Sequence, residues 1–258
     1  MSFLGRFISE QQAEPEPVAP QAAGAYRCAA RSHVGKVRSL NEDRFVALPD
    51  ARLWAIADGM GGHRAGDVAA ELVAGALRAC AAGGTVTADA AAAAVQQVNA
   101  QLVGISEAKG GSDISGSTVV ALIVTDDHYH CLWAGDSRAY LYRDSRCYRI
   151  SRDHSVVQEL IDAGVIAAAD APSHPSAHVI TRAVGAAATL RLDISSGTIE
   201  AGDLLLLCTD GLSDMVGVGQ IEACLAGDDI EAMADALLAA ALEAGAPDNI
   251  SFIIIRAP

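Results

Sequence analysis

STVVALIVTDDHYHCLWAGDSRAYLYRDSRCYRI, residues 117–150, is the stretch on which the fold turns. It contains four β-prone runs, 117–125, 128–134, 139–143 and 147–150, rich in Val, Ile, Leu, Tyr and Trp. Only Asp126-Asp127, the tetrapeptide GDSR (135–138) and the segment around Asp144-Ser145 join them. A parallel pair needs a crossover of about a dozen residues or more, and none fits here. The runs are therefore antiparallel, which excludes a doubly wound dinucleotide fold and a βα-barrel.

Upstream, 45–48 and 53–57 are short apolar runs separated by PDAR (49–52), the pattern of a hairpin. Residues 65–82 lack Pro, are rich in Ala, Leu and Val, and end at Gly83-Gly84, so they predict a helix. Thr87 is an N-cap for a second helix over 88 to about 105. Downstream, 155–164 predicts a short helix, and 165–180, with Ala, Pro and His in no period, a mobile surface excursion. Strands are expected at 190–194 and 204–208. A helix with Ile230, Met233, Leu237, Leu238 and Ala241 on its apolar face is expected over 230–244, and a last buried strand at 250–255. Helices in two groups with antiparallel strands between them make an α+β fold. A four-layer αββα sandwich buries this pattern, although composition alone leaves other α+β layouts open.

The chain has 258 residues, 51% of them hydrophobic, enough for one domain of generous size. Eighteen Lys and Arg stand against 32 Asp and Glu, a formal charge of −14, which argues against nucleic acid as a partner. The six cysteines form no CxxC pair and read as reduced cytosolic thiols. No apolar run is long enough to span a bilayer, and the N-terminus has no signal-peptide pattern. Residues 1–24 divide into a short segment with Phe3, Leu4, Phe7 and Ile8, a frayed tail or a partner-docking element, and the Pro/Ala/Glu-rich linker EQQAEPEPVAPQAAG (10–24). The folded domain is expected over 25–258.

Acidic residues recur where apolar runs begin or end: Glu42 and Asp43 in NEDR, Asp58 in ADGMGGH, Asp210 and Asp214 in TDGLSD, and Asp248 in PDN. Carboxylates at strand ends can converge on one edge of a sheet. There they repel unless a hard divalent cation with an oxygen shell compensates them. In ADGMGGH the glycines also expose backbone, so the Gly59 carbonyl is a further candidate ligand. A nucleotide-binding glycine loop is the rival there, but the GxGxxG spacing is absent. Arg38 could reach a phosphate held beside Asp43 through a forked hydrogen bond, or be an ordinary surface arginine. His63 could be a general acid, though a lone histidine is more often structural. Ser117 and Thr118 read as the start of a buried strand rather than as nucleophiles.

At these residues the chain resembles the metal-dependent Ser/Thr protein phosphatases, the type 2C or PPM family, over about residues 26–256. Eight motifs stand in the family's order: GKVRSLNEDR (35–44), ADGMGGHRAG (57–66), DISGSTVVAL (113–122), AGDSRAYLYR (134–143), RDHS (152–155), TRAVG (181–185), CTDGLSD (208–214) and PDNIS (247–251). The chain looks like the compact bacterial form, similar to phosphatases that accompany type VI secretion kinases. The resemblance implies two central antiparallel sheets flanked by helix pairs. It also implies two or three Mn²⁺ or Mg²⁺ ions. Asp58 would bridge two of them, the Gly59 carbonyl would bind one, and Asp210 and Asp248 the other. Glu42 and Asp43 would hold metal-bound waters. Asp113, with Asp210 and Asp214 or Asp153, would hold a weaker third ion. Arg38 would bind the substrate phosphate, and 155–180 would form the family's variable flap. The family's acid histidine falls where Met60 stands, so His63 is its nearest counterpart and its role stays open. The implied reaction is hydrolysis of phosphoserine or phosphothreonine by a water bridging two cations. The implied partners are phosphorylated proteins and a cognate Ser/Thr kinase in the cytoplasm. Hydrolysis of small phosphoesters, and silent binding of a phosphoprotein, are the competing readings.

Overall fold

The computed structural model describes residues 25–61, 65–108, 110 and 115–258. Every strand pairing among them is antiparallel. One sheet contains β1 (Arg27–His33), β7 (Arg138–Arg143), β8 (Arg146–Arg149), β10 (Leu204–Cys208) and β11 (Ile250–Arg256), in the order β1-β11-β10-β7-β8. The other runs β2-β3-β5-β6-β9 through β2 (Asp43–Leu48), β3 (Leu53–Met60), β5 (Val119–Thr125), β6 (His128–Ala134) and β9 (Asp193–Thr198). The two-residue β4 (Gly116–Ser117) adds onto the end of β3. The four runs in residues 117–150 thus divide between two sheets. The β5–β6 and β7–β8 pairs are hairpins, while GDSR carries the chain from one sheet to the other.

Strand alternation explains the stacking. Trp54, Ile56, Val120, Leu122, Leu205, Leu207, Ile253 and Ile255 meet in the core between the sheets. Their neighbours along the same strands face outward onto helices. Leu53, Ala55, Val119 and Ala121 pack with Ala70, Val73, Leu77, Val95 and Leu102 of α1 (Ala65–Ala81) and α2 (Ala88–Ala108). Leu206, Phe252 and Ile254 pack with the second helical layer: α4 (Asp210–Ser213), α5 (Val218–Leu225) and α6 (Ile230–Glu243). This is the expected αββα sandwich. The alanine-rich face of α1 lets the helix lie close on β3. Burying each large side chain in these layers contributes about 1.5–3 kcal/mol.

Several boundaries differ from expectation. The strand expected at 190–194 begins at Asp193 and runs to Thr198. The expected 155–164 helix is shorter, α3 (Val156–Asp162), with Ser155 capping the Gln158 amide. The segment 165–180 includes a 3-10 turn over Ala168–Ser173. β1 and α5 carry no pattern legible in the sequence. Cys80, Cys131, Cys147, Cys208 and Cys224 carry free thiols. Among the described residues, no helix is long and apolar enough to cross a membrane. The 1–24 tail and linker lie outside the described residues.

Candidate metal centre

The acids gather at one end of the sandwich because the strands bring them there. Asp43 opens β2 and is the register partner of Asp58 near the end of β3. Asp210 follows β10 at the start of α4, and Asp248 stands just ahead of β11, the neighbour of β10. Close backbone approaches hold these segments together. A Cβ on Gly66 of α1 would lie 2.6 Å from the carbonyl carbon of Gly59, and one on Gly211 would collide with the carbonyl oxygen of Asn249. Both positions exclude any side chain.

The motifs around the acids fix their backbones. Thr118 donates its amide to the Asp58 carbonyl at 2.8 Å and accepts the Asp58 amide on its hydroxyl at 3.0 Å, and the Ser117 hydroxyl reaches the same carbonyl at 3.0 Å. Ser117 and Thr118 are therefore scaffold, as the sequence suggested. Buried Asn249 ties the loop before β2. Its side-chain amide donates to the carbonyls of Val34 and Leu40, each at 2.9 Å, and its oxygen accepts the Glu42 amide at 2.8 Å. Thr209 donates to Asp43 Oδ2 at 3.2 Å, while Asp43 Oδ1, buried, has no partner.

Electrostatics mark the same place. Burial, then the charge of Asp210, raises the Asp43 carboxyl to about 7. Burial, then Asp43, Asp210, Asp136 and Asp248, pushes Asp58 well above the usual carboxylate range. Burial, then Asp214 and Asp248, raises Asp210 to about 6. Glu42 is raised chiefly by burial, and its Oε1 accepts the Asp67 amide in the first turn of α1 at 3.3 Å. Asp136 of GDSR joins this group. Burial and the charges of Asp210 and Asp153 raise it to about 7. The sequence reading took GDSR for a plain turn and missed this residue. The four residues have the composition of any turn, and only the assignment of β6 and β7 to different sheets places Asp136 at this edge.

The remaining expected residues divide. Arg38 reaches the cluster, with Nη2 2.7 Å from Asp248 Oδ2, and its side chain stays more than half exposed. Asp214 stands 3.6 Å from Arg138 and 3.8 Å from His178, and burial raises its carboxyl. Asp153 is committed elsewhere. It accepts Arg138 Nη2 at 2.9 Å and pairs with Arg149, so two guanidinium groups already face its charge. Arg138, which the sequence reading did not single out, is the guanidinium standing between Asp153 and Asp214. His63 and Asp113 lie outside the described residues.

The flap begins and ends here. Buried His154 accepts the Gly135 amide on Nδ1 at 3.1 Å, lies 3.2 Å from Asp193 Oδ2 and stacks on Trp133. Its carbonyl accepts the Thr181 amide at 2.7 Å, and Arg182 pairs with Asp193 at 2.8 Å. Burial lowers the His154 pKa, against the opposing pull of Asp193.

Unmatched acids, an unpartnered buried carboxylate oxygen and oxygen-only donors fit a hard divalent cation. Asp43, Asp58, Asp136, Asp210 and Asp248, with the Gly59 carbonyl, form the candidate donor set.

The family described as protein phosphatase 2C matches residues 31–226. The serine/threonine protein phosphatase PstP of Mycobacterium tuberculosis is 38% identical over 231 residues, which cover 88% of this chain and 44% of PstP. The chain thus spans less than half the length of that relative. Among solved structures, PppA, described as a key regulatory component of T6SS in Pseudomonas aeruginosa, superposes with a TM-score of 0.81 at 39% identity, covering 91% of this chain and 98% of that one. The catalytic domain of PstP in complex with two manganese ions gives a TM-score of 0.82 at 35% identity, covering 90% and 98%.

Proposed function

The chain belongs to the protein phosphatase 2C family, and on that premise we propose that it hydrolyses phosphoserine and phosphothreonine on proteins, using two Mn²⁺ or Mg²⁺ ions. The observation that carries this reading is the Asp43–Asp58 pair, buried beside Asp210 with charge that no described cation balances. When bound, two cations would polarise the phosphoryl group and acidify the attacking water. Asp58, Asp210, Asp248 and the Gly59 carbonyl would hold them. Glu42, Asp43 and Asp136 add negative charge and hydrogen-bond acceptors around them. Arg38 turns from Asp248 to the non-bridging phosphate oxygens, where its charge matches what develops in the transition state. The bond from phosphorus to the serine or threonine oxygen breaks as the bond to water forms. His63 is the proposed donor of the proton that the leaving oxygen takes.

The proposed substrates are proteins phosphorylated by a cognate Ser/Thr kinase in the cytoplasm. The likeness to PppA supports a place in type VI secretion control. The flap ends beside Asp214, where residues flanking the phosphate would lie. The test compares kcat/KM for a phosphothreonine peptide panel with that for p-nitrophenyl phosphate. Higher values for peptides, eroded by shortening 165–178, support a protein phosphatase. Preference for the small ester across the panel would favour a small-molecule phosphoesterase instead.

A further inference from the structure

His154 grips both backbone polar groups of Gly135. Its amide donates to the Gly135 carbonyl at 2.9 Å, and its Nδ1 accepts the buried Gly135 amide at 3.1 Å. An accepting Nδ1 leaves the ring proton of the neutral imidazole on Nε2, 3.2 Å from Asp193 Oδ2. Arg182 Nη1 stands 2.9 Å from that nitrogen and 2.8 Å from Asp193 Oδ1, so the Asp193 carboxylate serves both groups. Trp133 lies nearly parallel to the ring, and its indole N–H donates to the Arg152 carbonyl at 2.8 Å. These contacts leave the imidazole one orientation. On one side His154 is the root of the flap. Its carbonyl accepts the Thr181 amide at 2.7 Å, the Val156 amide donates to the Val179 carbonyl at 2.9 Å, and Ser155 and Ile180 form an isolated bridge. On the other side Gly135 is pressed against Thr118, where a Cβ would lie 2.7 Å from the Thr118 Cβ. Buried Ser137 meets the Thr118 hydroxyl at 2.7 Å. Asp136 stands between these two held residues, so its place in the metal centre follows from theirs.

We infer that His154 is a positioning residue, whose imidazole sets the place of Asp136 and ties the metal centre to the root of the flap. This role deepens the metal-dependent reading above and rests on it. The imidazole touches neither substrate nor ion and acts through the Gly135 backbone. Cation binding that fixes Asp136 also fixes Gly135, and through the two His154 bonds it steadies the segments at Val156 and Thr181 where the flap leaves the sandwich. Metal uptake and flap order then share a coupling free energy, so each favours the other. A histidine that only filled space would give packing and no such tie.

Two substitutions separate the two ring nitrogens. His154→Asn puts an amide oxygen where Nδ1 accepts and gives up the Nε2 contact with Asp193. His154→Gln reaches toward Asp193 and leaves the Gly135 amide without its acceptor. The experiment measures Mn²⁺ uptake by the whole, chelator-stripped protein, read from the free Mn²⁺ signal in electron paramagnetic resonance, together with Tm in chelator. His154→Gln should weaken Mn²⁺ binding by roughly tenfold, and His154→Asn should restore the affinity of the parent. In the parent, saturating Mn²⁺ should slow hydrogen exchange of the Val156 and Thr181 amides, and His154→Gln at its own saturation should lose that slowing. Equal losses of Mn²⁺ affinity in both variants, in step with their Tm, would reduce the imidazole to packing and overturn the role. Parent-like uptake by a folded His154→Gln would overturn it as well. So would exchange at Val156 and Thr181 that ignores Mn²⁺ in the parent, a measurement that needs no variant to fold. A parent that takes up no Mn²⁺ would overturn the metal-dependent reading and this role with it.

Discussion

Asp43 and Asp58 are register partners across β2 and β3, two acids facing each other where a ladder ordinarily avoids like charges. The fold holds this arrangement with neutral neighbours. Thr209 serves one oxygen of Asp43, and Ser117 and Thr118 grip the backbone of Asp58. Without a cation the pair opposes folding, and that cost is measurable.

Asp43→Asn removes one of the facing charges and keeps the acceptor that Thr209 uses. In chelator its Tm should exceed that of the parent, by roughly 2–4 °C for each kcal/mol of repulsion relieved, while Mn²⁺-supported turnover falls. A lower Tm in chelator would show that the pair is not electrostatically strained.

The same repulsion gives the metal-free protein an inverted acid response. Asp43 and Asp136 are raised to about 7 and Asp210 to about 6, above an unfolded carboxylate near 4. Between these values the folded state binds more protons than the unfolded one, so stability rises as pH falls. Thermal melts in chelator should therefore show Tm climbing from pH 8 to pH 6. His154 acts in the opposite sense, since its lowered pKa costs stability below about 6.5, and one imidazole offsets only part of the climb that three carboxyls produce. Saturating Mn²⁺ should flatten the slope. A chelated protein whose Tm stays level or drops over that interval would remove the basis for the unmatched-charge account.

Arg38 and Asp248 form a pair with both side chains more than a third exposed, so it adds little to stability. Arg38→Ala should leave Tm nearly unchanged. If the guanidinium clamps phosphate, the lost charge-assisted hydrogen bond costs roughly 1.5–3 kcal/mol in kcat/KM, and inhibition by inorganic phosphate weakens. Unaltered kinetics would return Arg38 to the role of a surface ion-pair partner.

Asn249 links three backbone groups from Val34, Leu40 and Glu42. Asn249→Ala leaves them without that partner, at about 1–3 kcal/mol for each one that water cannot reach. A depressed Tm together with weakened Mn²⁺ affinity is expected although every carboxylate remains. Wild-type Mn²⁺ affinity in a folded variant would show that the loop before β2 keeps its position unaided.

Which parts of this were legible in the sequence follows from where the signal was written. Leu204–Cys208 is a continuous apolar run and Ile250–Arg256 nearly one, with only Ser251 and the terminal Arg256 breaking it, because both faces are covered, so their ends, with Asp210 and Asp248, could be read directly. Asp58 was marked by the run before it and the glycines after it. Asp136 was hidden in GDSR, whose composition is that of any turn. Its meaning depends on β6 and β7 belonging to different sheets, which no local pattern encodes. Asp153 shows the converse. The resemblance offered it as an alternative ligand for a third ion, while its pairing with Arg138 and Arg149 exists only in the folded chain. The edge strand Arg27–His33 went unseen because only Cys28 and Ala29 are buried in it and its residues do not alternate. α5 went unseen because only Ile221 and Leu225 are buried in it.

The most direct test of the account is release of phosphate from a phosphothreonine peptide by chelator-stripped protein before and after Mn²⁺ is restored, with Asp58→Asn alongside. The account predicts no turnover in chelator and full recovery with Mn²⁺. It also predicts a loss of several orders of magnitude in a folded Asp58→Asn. Undiminished turnover in chelator, or parent-like rates for Asp58→Asn, would contradict it.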